Sequence, residues 1–459
     1  MKSEYLLKSD ISKFLYDKVM RLPLIDYHNH LSVKAISENV AFKDIYELWI
    51  ESDPYKHRAM RMCGISEKYI TSDVSNFEKF KAWCSVYPKL IGNPLYIWTK
   101  FELEEIFGIY EKPNEYNANR IYNKANDYLK NNIITPQLLM DRFNVEFASP
   151  CVNLTDDMKL FKNNAKITPS LRGDDILMPD PIFIKKLELI TNKISNINDY
   201  KEAVIKRLKA LIYSGCKFSD HAINNGFKYY DDDGKNEMRF KKILCGEILP
   251  DEDKKRIFSH LAVFLFGEYA KMKITLQLHI GAQRYTSTRL RKIAGAAGGF
   301  ACIGNSVDVL SLTAMFDRIE QHSGLPKTIL FTLNPADNAL ISVLSGSYSC
   351  GSIPGLITQG PAWWWCDHHQ GICDALESIS AYGLLSNFVG MTTDSRSFLS
   401  FVRHDYFRRI LCDWLGEKIN NNELCCSSYE AVNLAELLCY KNAKKLLGNY
   451  KNRKGSKEV

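Results

Sequence analysis

None of the 13 cysteines stands in a C-x-x-C pair; their number is odd and their spacing irregular. That excludes a disulfide framework or structural zinc ribbon and suits a reducing compartment. No long apolar run is present, and the strongest, near 261–266, is far too short to span a bilayer. The opening Met1-Lys2-Ser3-Glu4-Tyr5 carries an early acid and no apolar stretch. No secretory signal is therefore expected, and the cytoplasm is the expected location. The net charge of +7 is spread along the chain, without a basic block beyond the short tail at 451–459. Neither a nucleic-acid nor a membrane partner is expected. There is no H-E-x-x-H, G-x-x-x-x-G-K-[ST] or G-x-S-x-G. The glycines at 295, 298 and 299 do not match G-x-G-x-x-G and read as a flexible loop. No internal repeat or low-complexity tract occurs, so solenoids and disordered arrays are excluded as well.

What is present is a large globular chain: 459 residues, 46% of them hydrophobic, enough to bury an extended core. Short β-rich apolar runs, most ending in a polar residue, recur at 24–27, 145–149, 167–171, 216–219, 274–278, 328–333, 360–365 and 388–391. Segments with room for helices separate them, as expected of parallel βαβ units. Eight such units point to an α/β fold, a (β/α)8 TIM barrel, over 22–450 after an N-terminal helical segment at 1–21. One connection is far too long for a crossover. Residues 32–141, rich in aromatic and charged side chains, read as a mainly helical insertion after the first strand, covering the barrel mouth.

The chemistry concentrates at the strand ends. In Asp26-Tyr27-His28-Asn29-His30, residues two apart on a strand share a face. His28 and His30 can then both aim into the barrel at its carboxyl rim, where two imidazoles make a clamp for a borderline cation such as Zn²⁺. An isolated H-x-H is a weak signal; its place at the end of an apolar strand strengthens it. Asp394, after the last apolar run, lies beside the first strand once a barrel closes, and is either a third ligand or a helix N-cap. Asp220 and His221 end the fourth strand, His279 the fifth and Asn334 the sixth. Arg172 and Arg396 suit a substrate carboxylate, because guanidinium matches that group bidentately. Of Trp363, Trp364 and Trp365, two read as packing and one as a platform for the apolar face of a sugar.

The chain resembles the uronate (glucuronate) isomerases of the amidohydrolase superfamily, on stretches that run from about residue 5 to about 450. They are 26–32, Arg58-Ala59-Met60-Arg61, Gly92-Asn93-Pro94-Leu95-Tyr96, 277–284, 325–338, Trp363-Trp364 and 384–409. The resemblance implies interconversion of D-glucuronate with D-fructuronate and of D-galacturonate with D-tagaturonate, by metal-assisted proton transfer through an enediol. It implies one divalent metal on His28, His30 and Asp394, Zn²⁺ first, with Mn²⁺ or another divalent ion open. Asp394, Tyr55 and His279 are the acid–base candidates. Arg172, Arg396, Trp364 and His221 are the substrate-binding candidates, and the ligand is a small acid sugar. A homo-oligomer is open, and nothing in the sequence specifies it. The alternatives are an isomerase with a shifted acid-sugar substrate, or a metal-dependent hydrolase on the same barrel.

There are departures from the family pattern. The His that usually precedes the active-site Tyr is Pro54. Tyr-His-Trp-Thr-His is replaced by Tyr96-Ile97-Trp98-Thr99-Lys100, and Arg-Pro-Asp-Lys by Arg172-Gly173-Asp174-Asp175.

Overall fold

The computed structural model describes residues 4–161, 164 and 166–448. The end of the segment 22–450 and the tail 451–459 therefore lie outside the described residues. Among the described residues there are nine strands: β1 (Leu24–Asn29), β2 (Val145–Asn153), β3 (Ser170–Arg172), β4 (Phe218–Ile223), β5 (Thr275–Ile280), β6 (Ala282–Gln283), β7 (Cys302–Ile303), β8 (Thr328–Thr332) and β9 (Ile357–Gln359). Seven of them form one parallel sheet in the order β1-β2-β3-β4-β5-β8-β9, while β6 and β7 make a small antiparallel ribbon above it. Parallel pairing requires long crossovers. Helices supply them, among them Ile197–Tyr213, Asp251–Met272 and Val309–Ser323. The sheet curls as an α/β TIM-type barrel around buried Ile25, Tyr27, Phe147, Phe218, Ile329 and Phe331. Fully burying side chains of this size is worth roughly 2–3 kcal/mol each.

Two staves differ from the sequence reading. The run at 360–365 is not a strand: the seventh stave is β9, and Trp364–Cys366 is a 3₁₀ turn in which Trp364 has φ 45°. A Cβ at Gly360 would crowd Ile329 and Phe331, so the chain needs a glycine as it leaves the sheet there. The run at 388–391 lies beside β1 but joins no ladder. Gly390 has φ 77° and a side chain there would collide with the Leu438 carbonyl; Asp394 has φ 46°. Such left-handed residues break a regular strand. The segment is instead tied to β1 by Asp394 N–H to the His28 carbonyl (3.1 Å) and His30 N–H to the Ser395 carbonyl (2.9 Å).

Asp26 makes that closure specific. It is fully buried, and its carboxylate accepts from the Thr393 amide (2.7 Å), the Thr393 hydroxyl (2.8 Å) and the Thr392 hydroxyl (2.9 Å). A buried carboxylate without such donors would cost several kcal/mol. The helix Val402–Asn420 locks the opposite end of β1. Arg408 donates to the carbonyls of Met20, Leu22 and Pro23 at 2.9–3.1 Å. Arg409 donates to Asp405 and to the Tyr16 hydroxyl.

The connection between β1 and β2 contains seven α-helices, from Val33–Glu38 to Pro136–Arg142, and two short 3₁₀ turns. One of them, Pro54–Met62, starts with Asp53 accepting from the amides of Tyr55 (2.9 Å) and Lys56 (3.2 Å) and with Pro54 in the first turn. Both features favour a helix beginning at that point.

Candidate active site

His28 and His30 reach the same carboxylate oxygen. Their Nε2 atoms each lie 3.1 Å from Asp394 Oδ1, while Trp363 Nε1 donates to Asp394 Oδ2 at 2.6 Å. Simple alternation along β1 does not by itself produce this. The β1–β2 register shifts between Asp26 and Asn29, and both Tyr27 and His28 pack on interior rings, Tyr27 on Phe218 and His28 on Phe331. The irregularity lets two consecutive residues face inward. The positive φ of Asp394 then turns its carboxylate back toward them.

The ring of His28 also packs 4.6 Å from His279, whose Nδ1 lies 2.7 Å from Asp220 Oδ1. Ligand atoms of His28, His30, Cys151 and Asp220 all lie within 4.8 Å of one another. Imidazoles, carboxylates and a thiolate are the donors that a borderline divalent ion takes, so these residues fit a metal of that class. From the sequence, Asp220 reads only as a strand-end residue and Trp363 only as one of a packing run, and Cys151 carries no signal. Cys151 lies two residues before the end of β2, and only the assembled barrel shows what it faces.

The electrostatics agree with a cation site. Burial alone would discharge both imidazoles, but Cys151 and Asp394 outweigh it: His30 is raised to about 9 and His28 well above its ordinary value. Burial likewise opposes ionisation of Asp394, yet the two rings hold it well below the carboxylate range. Burial lowers His279, while His279 first and then His28 and His30 hold Asp220 well below the carboxylate range against its own burial. An ion must displace the protons on His28 and His30. Apparent Zn²⁺ affinity is therefore expected to climb as pH rises toward about 9 and to fall at lower pH, because His30 holds its proton below that value. Competition with a chromogenic chelator across that range measures it; a flat profile would count against these imidazoles as ligands.

Above this floor opens a cavity of about 610 Å³, lined by His30, Tyr55, Arg172, Trp364, Asp394 and Arg396 among others. That is within the usual range for small-molecule sites. Burial, then the charge of Arg172, lowers Arg396, so the two guanidiniums share a space that favours an anion between them. Tyr55 is wedged between Trp98 (5.8 Å) and Trp365 (5.3 Å), and burial, then Asp367, raises its phenol well above 10. It therefore keeps its proton. Trp364 lines the cavity with Arg284 over its ring at 5.1 Å, and Trp365 also lines it, so only Trp363 is fully withdrawn.

His221 is the misplaced candidate. Asp220 faces the site, so its neighbour on β4 turns the other way. The His221 ring packs on Phe266 and Tyr269, Nε2 is 2.8 Å from the Tyr269 hydroxyl, and burial lowers it to about 3. It fills the space that a side chain at Gly173 would take. His221→Gln is expected to cost about 1–3 kcal/mol of stability through the disturbed buried bond. Urea unfolding checks that, and kcat/KM should not change; a raised KM would return His221 to the substrate.

A family model for glucuronate isomerase matches residues 1–447. This chain belongs to that family. It is 37% identical to the uronate isomerase of Caldanaerobacter subterraneus subsp. tengcongensis, covering 98% of this chain and 99% of the relative. It is 38% identical to the uronate isomerase of Bacillus licheniformis, over 97% and 96%. The crystal structure of uronate isomerase from Thermotoga maritima superposes with a TM-score of 0.91 at 28% identity, over 97% of this chain and 99% of the other. Against that family pattern, the changed residues fall unevenly. Ile97 is buried core and Lys100 pairs with Glu104, and neither lines the cavity; Pro54 and Asp175 do.

Proposed function

We propose that this uronate isomerase family member interconverts D-glucuronate with D-fructuronate and D-galacturonate with D-tagaturonate. The observation that carries it is the single cavity joining the His30–Asp394 floor to Arg172 and Arg396. A uronate has its carbonyl at one end and its carboxylate at the other, and this cavity has one matching surface for each. His28, His30 and Asp394 would hold one divalent ion, Zn²⁺ first by its donor set, with Cys151 and Asp220 beside them. When bound, the ion polarises the sugar's carbonyl oxygen and stabilises negative charge developing there.

The chain's own residues do the rest. Arg172 and Arg396 take the carboxylate and set which carbons face the floor. Isomerisation moves one proton between adjacent carbons through an enediol, so it needs a base on carbon and a proton donor on oxygen. Asp394, ionised and fixed by Trp363, suits the first role; Tyr55, which keeps its proton, suits the second. His279, paired with Asp220, supports the floor beneath His28. Trp364 offers a ring to the sugar's apolar face.

A hydrolase is disfavoured at Asn334, which caps the turn after β8 through the Ala336 amide (3.1 Å) and does not line the cavity. A shifted acid-sugar preference is favoured by Pro54, which puts an apolar ring on the cavity wall. Incubation with both uronates and neighbouring acid sugars, read by NMR for ketose, tests the proposal. Ketose from neither uronate in metal-loaded protein would overturn it, and ketose from another acid sugar would establish the shift.

A further inference from the structure

We propose that Asp367, fixed by Arg403, is a positioning residue that determines whether the Tyr55 hydroxyl donates or accepts a hydrogen bond at the substrate. This rests on the isomerase reading above. Asp367 is buried and does not line the cavity, so it acts only through another group. Tyr55 is that group: its hydroxyl donates to Asp367 Oδ2 at 3.1 Å. The same oxygen accepts from Arg403 Nη1 at 3.3 Å, and Arg403 also donates to the Thr393 carbonyl at 3.3 Å. The Arg403 guanidinium in turn covers the Tyr55 ring at 4.7 Å and the Trp98 ring at 4.1 Å. With Trp98, Trp365 and Arg403 around it, the ring has little freedom; what remains free is the direction of its O–H.

That direction follows from Asp367. As a carboxylate it can only accept, so the phenol proton points to Asp367 and the oxygen offers its lone pairs to a sugar hydroxyl. As a carboxylic acid it donates to the phenol oxygen, and the Tyr55 proton turns to a sugar oxygen. Aldose–ketose exchange needs a donor at one oxygen and an acceptor at its neighbour, so a residue that offers either is useful there. The groups facing Asp367 are Tyr55 from the helix Pro54–Met62, Arg403 and Tyr406 from the helix Val402–Asn420, and Asp394 from the segment after 388–391. Burial raises Asp367 and Arg403 opposes it, leaving it at about 7, so both forms are populated near neutral pH.

The test uses metal-loaded full-length enzyme with D-glucuronate, comparing wild type, Asp367→Asn, Tyr55→Phe and the double variant across pH. Asp367→Asn is nearly isosteric and does not titrate. It is expected to lower kcat about 10- to 100-fold, with KM changed less than about 3-fold, and to remove the near-neutral limb of the kcat profile. The double variant is expected to be no slower than Tyr55→Phe alone, because the two act as a unit. If Asp367→Asn does not fold, the pH profile of Tyr55→Phe decides: loss of the same limb supports the proposal and its retention overturns it. Losses that multiply in the double variant, or an unchanged kcat in Asp367→Asn beside a slow Tyr55→Phe, overturn this inference alone. Full activity of Tyr55→Phe would overturn it together with the role given to Tyr55.

Discussion

His28→Ala is expected to release the bound ion and to lower kcat by about a thousandfold or more, since an ion at the carbonyl supplies several kcal/mol of charge stabilisation and ~4 kcal/mol is roughly that factor. The effect is large because His28 is the innermost member of the cluster, its side chain 2% exposed against 21% for His30. Its Nε2 faces Asp394, its ring lies on His279 and Phe331, and its Nδ1 is 3.8 Å from the Cys151 thiol. Removing it takes a buried donor from the centre of the cluster. The barrel should survive, because the closing contacts of Asp26 use the backbone and the threonines, not the imidazole. Metal analysis and circular dichroism on the purified variant check both halves. Retained metal with wild-type turnover would remove His28 from its assigned place.

Arg396→Met is expected to lower kcat/KM for uronates about 10- to 100-fold, the worth of one or two charge-assisted hydrogen bonds in a partly desolvated site. Methionine keeps the apolar stem, so packing loss is small. Arg172 remains and is relieved of its neighbour's charge, which limits the damage. The diagnostic comparison is with a neutral aldose lacking the carboxylate. Its rate should not fall, so the preference for acid over neutral sugar narrows by the same factor. An unchanged preference would mean that the carboxylate binds elsewhere, Arg284 being the other guanidinium on the cavity wall. Arg396→Lys is expected to recover only part of the loss, because an ammonium lacks the planar fork.

Much of this was legible in one dimension. Periodicity and turn residues are local, so the α/β alternation and most strands could be read directly. The closing stave could not, because Gly390 and Asp394 hold left-handed conformations that only contacts with Leu438 and His28 explain. The same limit explains His221. Strand parity says that Asp220 and His221 point opposite ways, but not which of them faces inward; that depends on which side of β4 the helix carrying Phe266 and Tyr269 covers.

By itself, the sequence determined that this is an α/β barrel with two imidazoles, a carboxylate and two guanidiniums at strand ends, because residue type and spacing are properties of the chain. Only the tertiary structure decided that the imidazoles and Asp394 converge, that Cys151, Asp220 and Trp363 join them, and that Asp367 stands behind Tyr55. Those relations link residues hundreds of positions apart. They depend on a register shift in β1, on the left-handed turn at Asp394 and on burial that shifts protonation, none of which exists until the sheet has curled.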